Sequence, residues 1–168
     1  MSVMIHMPTD VRVWEDLWRE HADRLLLYAT TLLSDRSAAE DAVQNVFVRL
    51  IAAGEPPVFE SEGAYLFRAV RNEALNAIRS RRPVAHGKRP LFDDEPEKRA
   101  LLAEFGQRVE VALLRLDPEH REAVVLKLWG DLSFPEAAEL LGVTPKTLEH
   151  RYYRGLAALK ELLGERHE

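Results

Sequence analysis

Helices throughout, arranged as two small all-α domains on a flexible linker, are the fold this sequence predicts. Three observations predict it. Apolar residues recur at three- and four-residue steps along most of the chain, with no convincing period-two stretch. Cap chemistry punctuates those runs. One aperiodic segment, rich in proline and charge, separates them. The 168 residues, 46% hydrophobic and 30% charged, are ordinary globular composition and leave room for two such units.

The first helix reads from Trp14, with Leu17, Trp18, Leu25, Ala29 and Leu32 on one face, and Ser34-Asp35-Arg36 interrupts it. Ser37 and Glu40 have the spacing of a capping box. They open a second helix whose stripe is Val43, Val46, Phe47, Leu50 and Ile51 and whose C-terminal cap is Gly54. Asp41, Gln44, Asn45 and Arg49 lie on its other face. Glu55-Pro56-Pro57 then enforces a loop. A third helix runs from about Ala64 to Arg81 and stops before Pro83. Its apolar side is Leu66, Ala69, Val70, Ala77 and Ile78. Arg68, Asn72, Asn76 and Arg79 form a polar stripe along another face, the first candidate reading surface.

Domain boundaries follow at 10–82, a linker at 83–97, and 98–168. After Pro96 a helix carries Leu101, Leu102, Phe105, Val109, Ala112, Leu113 and Leu116. Asp117-Pro118 ends it and starts the next, which holds Ala123, Val124, Leu126, Leu128 and Trp129 and stops at Gly130. Ser133-Phe134-Pro135-Glu136 is a second capping box and opens a short helix. Gly142-Val143 makes a tight turn, and Thr144-Pro145 starts a longer helix to Leu163. Helix, glycine-containing turn, helix is the helix-turn-helix pattern, whose second helix enters the DNA major groove. Leu148, Leu156, Leu159 and Leu163 can pack inward, leaving Lys146, Thr147, His150, Arg151 and Arg154 for the other side.

The net charge of -5 argues superficially against a polyanionic partner. The distribution argues otherwise. Residues 1–62 carry 5 basic and 11 acidic groups, 63–90 carry 7 and 1, 91–119 carry 4 and 8, and 120–168 carry 7 and 8. The basic block, Arg68, Arg71, Arg79, Arg81, Arg82, Lys88 and Arg89, is flanked by acid on both sides, which suggests an anionic partner for one face alone.

Absence of cysteine excludes disulfide scaffolds and thiolate metal sites. The six histidines show no metal-ligand spacing, and there is no phosphate loop or nucleophile triad, so no catalysis, cofactor, metal or small-molecule substrate is expected. No apolar run approaches the roughly 20 residues of a membrane span, and the expected location is cytoplasmic. Trp14, Trp18 and Trp129 read as core.

Two separated segments resemble a known family. The run from Ala39 to Leu50, together with Tyr65 to Asn76, resembles region 2 of bacterial extracytoplasmic-function (ECF) sigma factors, of the sigma-70 superfamily. Leu116-Asp117-Pro118, His120-Arg121-Glu122, Leu132 to Ala138 and the helix from Thr144 resemble their region 4. The resemblance implies that the helix from Asp41 to Arg49, with Gln44, Asn45 and Phe47, docks on core RNA polymerase. It implies that Arg68, Arg71, Asn72, Asn76 and Arg79 act in opening the promoter -10 element, with the loop from Glu55 to Gly63 in the pocket for an extruded base. The recognition helix would read the -35 element through Lys146, Thr147, His150, Arg151 and Arg154. Delivery by polymerase makes the acidic total intelligible, since surplus acid suppresses binding to random sequence. Asn45 stands where the family commonly has glutamate, and Glu149, His150, Tyr152 and Tyr153 depart from its recognition helix. The -35 preference therefore does not carry over. The alternatives are a sigma-like decoy that binds an anti-sigma factor, and an autonomous helix-turn-helix regulator of promoter DNA.

Overall fold

The computed structural model describes residues 11–54, 59–80 and 106–164; the 83–97 linker and the expected contributions of Leu101, Leu102 and Phe105 lie outside them. The helices are α1 (Val11–Leu33), α2 (Arg36–Ala53), α3 (Glu62–Ser80), α4 (106–114), α5 (Pro118–Leu128), α6 (Phe134–Leu141) and α7 (Pro145–Gly164). No strand occurs among the described residues.

In the first half, α1, α2 and α3 pack on one another around Trp14, Leu25, Tyr28, Phe47, Leu66, Phe67 and Val70, all at most 2% exposed. The rings of Trp18 and Phe47 meet in a T-shaped contact with centroids 4.9 Å apart, a favoured aromatic geometry. Asp35, not Ser37, caps α2: its carboxylate accepts from the Ala38 amide at 3.1 Å. An extended Asp35 satisfies an orphan amide, and the helix is already under way at Ser37. Ser61 does the same for α3 by accepting from Ala64. The stripe residues Ile51 and Ile78 are 38% and 51% exposed, because each lies beyond the last buried residue of its helix, Phe47 in α2 and Ala74 in α3.

The second half packs α5 against α7 and α6 against both, around smaller side chains: Leu113, Val124, Leu126, Leu132, Ala137 and Leu148. The close approach of α7 to α5 needs Gly155. A Cβ there would lie 2.6 Å from Val124 Cγ2 and 2.9 Å from the His120 carbonyl oxygen.

The halves touch. The Arg121 guanidinium donates to the carbonyls of Leu113, Leu114 and Leu116 at the end of α4, and to that of Thr31 in the last turn of α1 at 2.8 Å. Helix ends leave such carbonyls unsatisfied, so one side chain caps two helices and joins the halves. Burial holds the Arg121 pKa below its ordinary value. Beside it, Glu122 Oε1 accepts from the Tyr28 hydroxyl at 2.9 Å and from Arg71 Nε at 3.1 Å. Burial first, then the Glu122 carboxylate, push the Tyr28 phenol well above the usual tyrosine range.

Candidate nucleic-acid interface

The turn between α6 and α7 is built as the sequence predicts. Ser133 Oγ accepts from the Glu136 amide at 3.2 Å, and Glu136 reaches back to the Ser133 amide at 2.8 Å. That amide bond holds the Glu136 carboxyl below the usual range. Gly142 adopts a left-handed conformation, φ 67° and ψ 33°, which turns the chain so that the Val143 amide returns to the Ala138 carbonyl at 3.0 Å. Thr144 then accepts from the Thr147 amide at 3.2 Å and donates to the Thr147 hydroxyl at 2.9 Å. Leu148 and Leu159 are buried, so the orientation of α7 is fixed by packing.

The exposed face of α7 is a shallow groove lined by Lys146, Glu149, His150, Tyr153, Arg154 and Ala157. Lys146, His150 and Arg154, expected on this face, share it; exposed Thr147 is spent on the cap. Arg151 does not line the groove. Its side chain is 22% exposed and pairs with Glu119 of α5 at 3.1 Å, because three residues after Leu148 it points along the packed side. Tyr153, 56% exposed, lines the groove as well, although the sequence marked it only as a departure from the family's recognition helix. Its spacing of three from His150 and seven from Lys146 was the available signal.

On α3, Arg68, Asn72, Asn76 and Arg79 are exposed along one side. Arg68 lies 3.8 Å from Glu139 of α6. Arg71 turns off this stripe to Glu122; burial opposes its charge, while Glu122 and the Tyr28 hydroxyl more than offset that and raise its pKa. Arg81, Arg82, Lys88 and Arg89 lie outside the described residues.

On α2, Asp41, Gln44 and Asn45 are half-buried and Arg49 is exposed. Asn45 donates to Glu73 Oε1 at 3.4 Å and Arg49 pairs with Glu73 Oε2, so both are oriented by α3. Phe47 is corrected: it is fully buried in the core, where its period places it, and has no surface to offer a partner. Glu73, 8% exposed and the lone acid of the basic block, is where Asn45 and Arg49 converge, and the sequence reading missed it.

A three-helix unit with a polar strip, packed against a helix-turn-helix whose second helix exposes Lys146, His150 and Arg154, defines a two-part helical protein. Residues 17–84 match the family described as sigma-70 region 2, and residues 106–159 match sigma-70, region 4. The ECF RNA polymerase sigma factor SigM of Mycobacterium tuberculosis is 32% identical over 95% of this chain and 81% of its own length. SigE of Mycolicibacterium smegmatis, also an ECF RNA polymerase sigma factor, is 32% identical over 90% of this chain; the chain spans 62% of that relative's length. Among solved structures, CnrH in complex with the cytosolic domain of CnrY superposes with a TM-score of 0.59 and 30% identity, covering 92% of this chain and 89% of that one. The chain belongs to the sigma-70 family, in its extracytoplasmic-function group. No helix among the described residues is long and apolar enough to cross a membrane.

Proposed function

We propose that this ECF sigma factor docks on core RNA polymerase through the polar face of α2, holds the melted -10 strand along α3, and reads the -35 duplex with α7. The observation that carries the reading is the presence in one chain of two reading faces of different character. The α3 strip sets Asn72 and Asn76 between Arg68 and Arg79, suited to unpaired base edges flanked by phosphates. The α7 groove sets Lys146, His150 and Arg154 around Tyr153 on one helix, suited to a duplex groove. Asp41, Gln44, Asn45 and Arg49 supply the docking surface, with Glu73 orienting Asn45 and Arg49. The working units are residues 10–82 and 98–168 on a linker at 83–97, acting in the cytoplasm without catalysis of their own; the reaction belongs to the polymerase.

The test is co-elution of the full chain with core polymerase, followed by run-off transcription on a genomic promoter library. A stoichiometric complex and discrete start sites are expected. Failure to associate at every ionic strength overturns the reading, and retention of an anti-sigma factor with no polymerase would identify a decoy.

A further inference from the structure

His21 lies midway along α1 with 8% of its side chain exposed. Its Nε2 is buried and makes no hydrogen bond among the described residues, a costly condition for a polar atom. That nitrogen faces two carboxylates: Glu62 Oε2, from the first turn of α3, at 3.7 Å, and Glu20 Oε2 at 4.0 Å. Both distances are too long for hydrogen bonds. The three ligand atoms all lie within 4.8 Å of one another.

We propose that Glu20, His21 and Glu62 form a divalent-cation site that ties α1 to the start of α3. A zinc-type ion stands roughly 2.0–2.2 Å from imidazole nitrogen and carboxylate oxygen, so ligands around it are a little over 3 Å apart. The buried imidazole is already in place. The glutamates, with side chains 61% and 50% exposed, have room to draw in. One neutral nitrogen and two anionic oxygens suit borderline first-row cations such as Zn²⁺ or Mn²⁺, water completing the shell. The ion neutralises two carboxylates and gives Nε2 the partner it lacks. Because Glu62 opens the helix that carries the strand-facing strip, occupancy would stiffen the point from which that strip projects. The ligand set escapes a linear motif search because His21 and Glu62 stand 41 positions apart.

The experiment is calorimetric titration of the full chain with zinc chloride at neutral pH, paired with thermal unfolding. One saturable equivalent and a rise in melting temperature with zinc are expected, since a ligand that binds only the folded state stabilises it. The surface variant E20Q/E62Q, which leaves the buried His21 untouched, should keep the helical circular-dichroism spectrum and lose both effects. Absence of saturable uptake, or uptake equally tight in E20Q/E62Q and so owed to other histidines, overturns the site. Neither outcome depends on transcription, so the site and the proposed function stand or fall separately.

Discussion

The two candidate reading helices, α3 and α7, look alike as sequence and differ in what meets their cations. On α3 the answering carboxylates come from the other half of the molecule: Glu139 for Arg68 and Glu122 for Arg71. On α7 Arg151 is met from within its own half by Glu119, while Lys146, His150 and Arg154 remain along an exposed groove. An arginine in a periodic polar stripe can thus be answered by a carboxylate from the other half, as Arg68 and Arg71 are, or from its own half, as Arg151 is. The first half also presents its strip from a core of large aromatics, the second from a thinner aliphatic core that depends on close helix approach at Gly155.

The largest way to break this comparison is to remove what holds the halves in register. Arg121→Ala strips hydrogen bonds from four carbonyls, at α4 and at the end of α1. It should cost about 3 kcal/mol in urea unfolding, since charge-assisted bonds contribute about 1.5–3 kcal/mol each and water recovers part of that here. Next comes Gly155→Ala, confined to the second half. The added Cβ overlaps Val124 and the His120 carbonyl, and overpacking of roughly 1–3 kcal/mol outweighs the gain of up to 1 kcal/mol in helix propensity. A net loss of about 1–2 kcal/mol in urea unfolding is expected, with weakened -35 duplex binding. Any loss of stability in Arg121→Ala smaller than in Gly155→Ala would contradict the assigned order.

Glu122→Gln sharpens the comparison. The amide oxygen still accepts from Tyr28 and Arg71, but the charge is gone, so a loss of about 1 kcal/mol follows, the difference between a charge-assisted and a neutral bond. The loss should shrink little with salt, because the pair is shielded from solvent. The smallest effect concerns Glu136. Its folded pKa lies below the ordinary value of about 4.3, so its contribution is present above that pH and fades as pH falls through the depressed value. Urea stability of the wild type and of Glu136→Gln should differ near neutrality and converge as pH falls below the depressed value, where both side chains are uncharged.

Much of this was legible in the sequence, for local reasons. The Ser133–Glu136 box, the Gly142 turn and the Asp117-Pro118 start are fixed by residues a few positions apart. Misreadings arose where a choice is settled elsewhere. Ser37 and Asp35 both suit a cap, and backbone geometry chose Asp35. Ile78 keeps the α3 period but outruns the neighbours that would cover it. Phe47 sits among polar docking candidates in sequence, yet its step of four from Val43 turns it inward. The roles of Arg71, Glu73 and Arg121 depend on partners 24 to 90 residues away, which no local pattern encodes.

The most direct measurement is permanganate footprinting of promoter DNA in complexes of core polymerase with the wild-type chain, with Asn72→Ala/Asn76→Ala, and with Lys146→Ala/Arg154→Ala. Separate reading surfaces on α3 and α7 predict that the first variant still occupies the promoter but leaves the -10 thymines unreactive. The second variant should lose occupancy, roughly tenfold or more for two phosphate-facing cations, with a shallower salt dependence. Normal strand opening by the first variant, or normal occupancy by the second, would contradict the division of labour between the two helices.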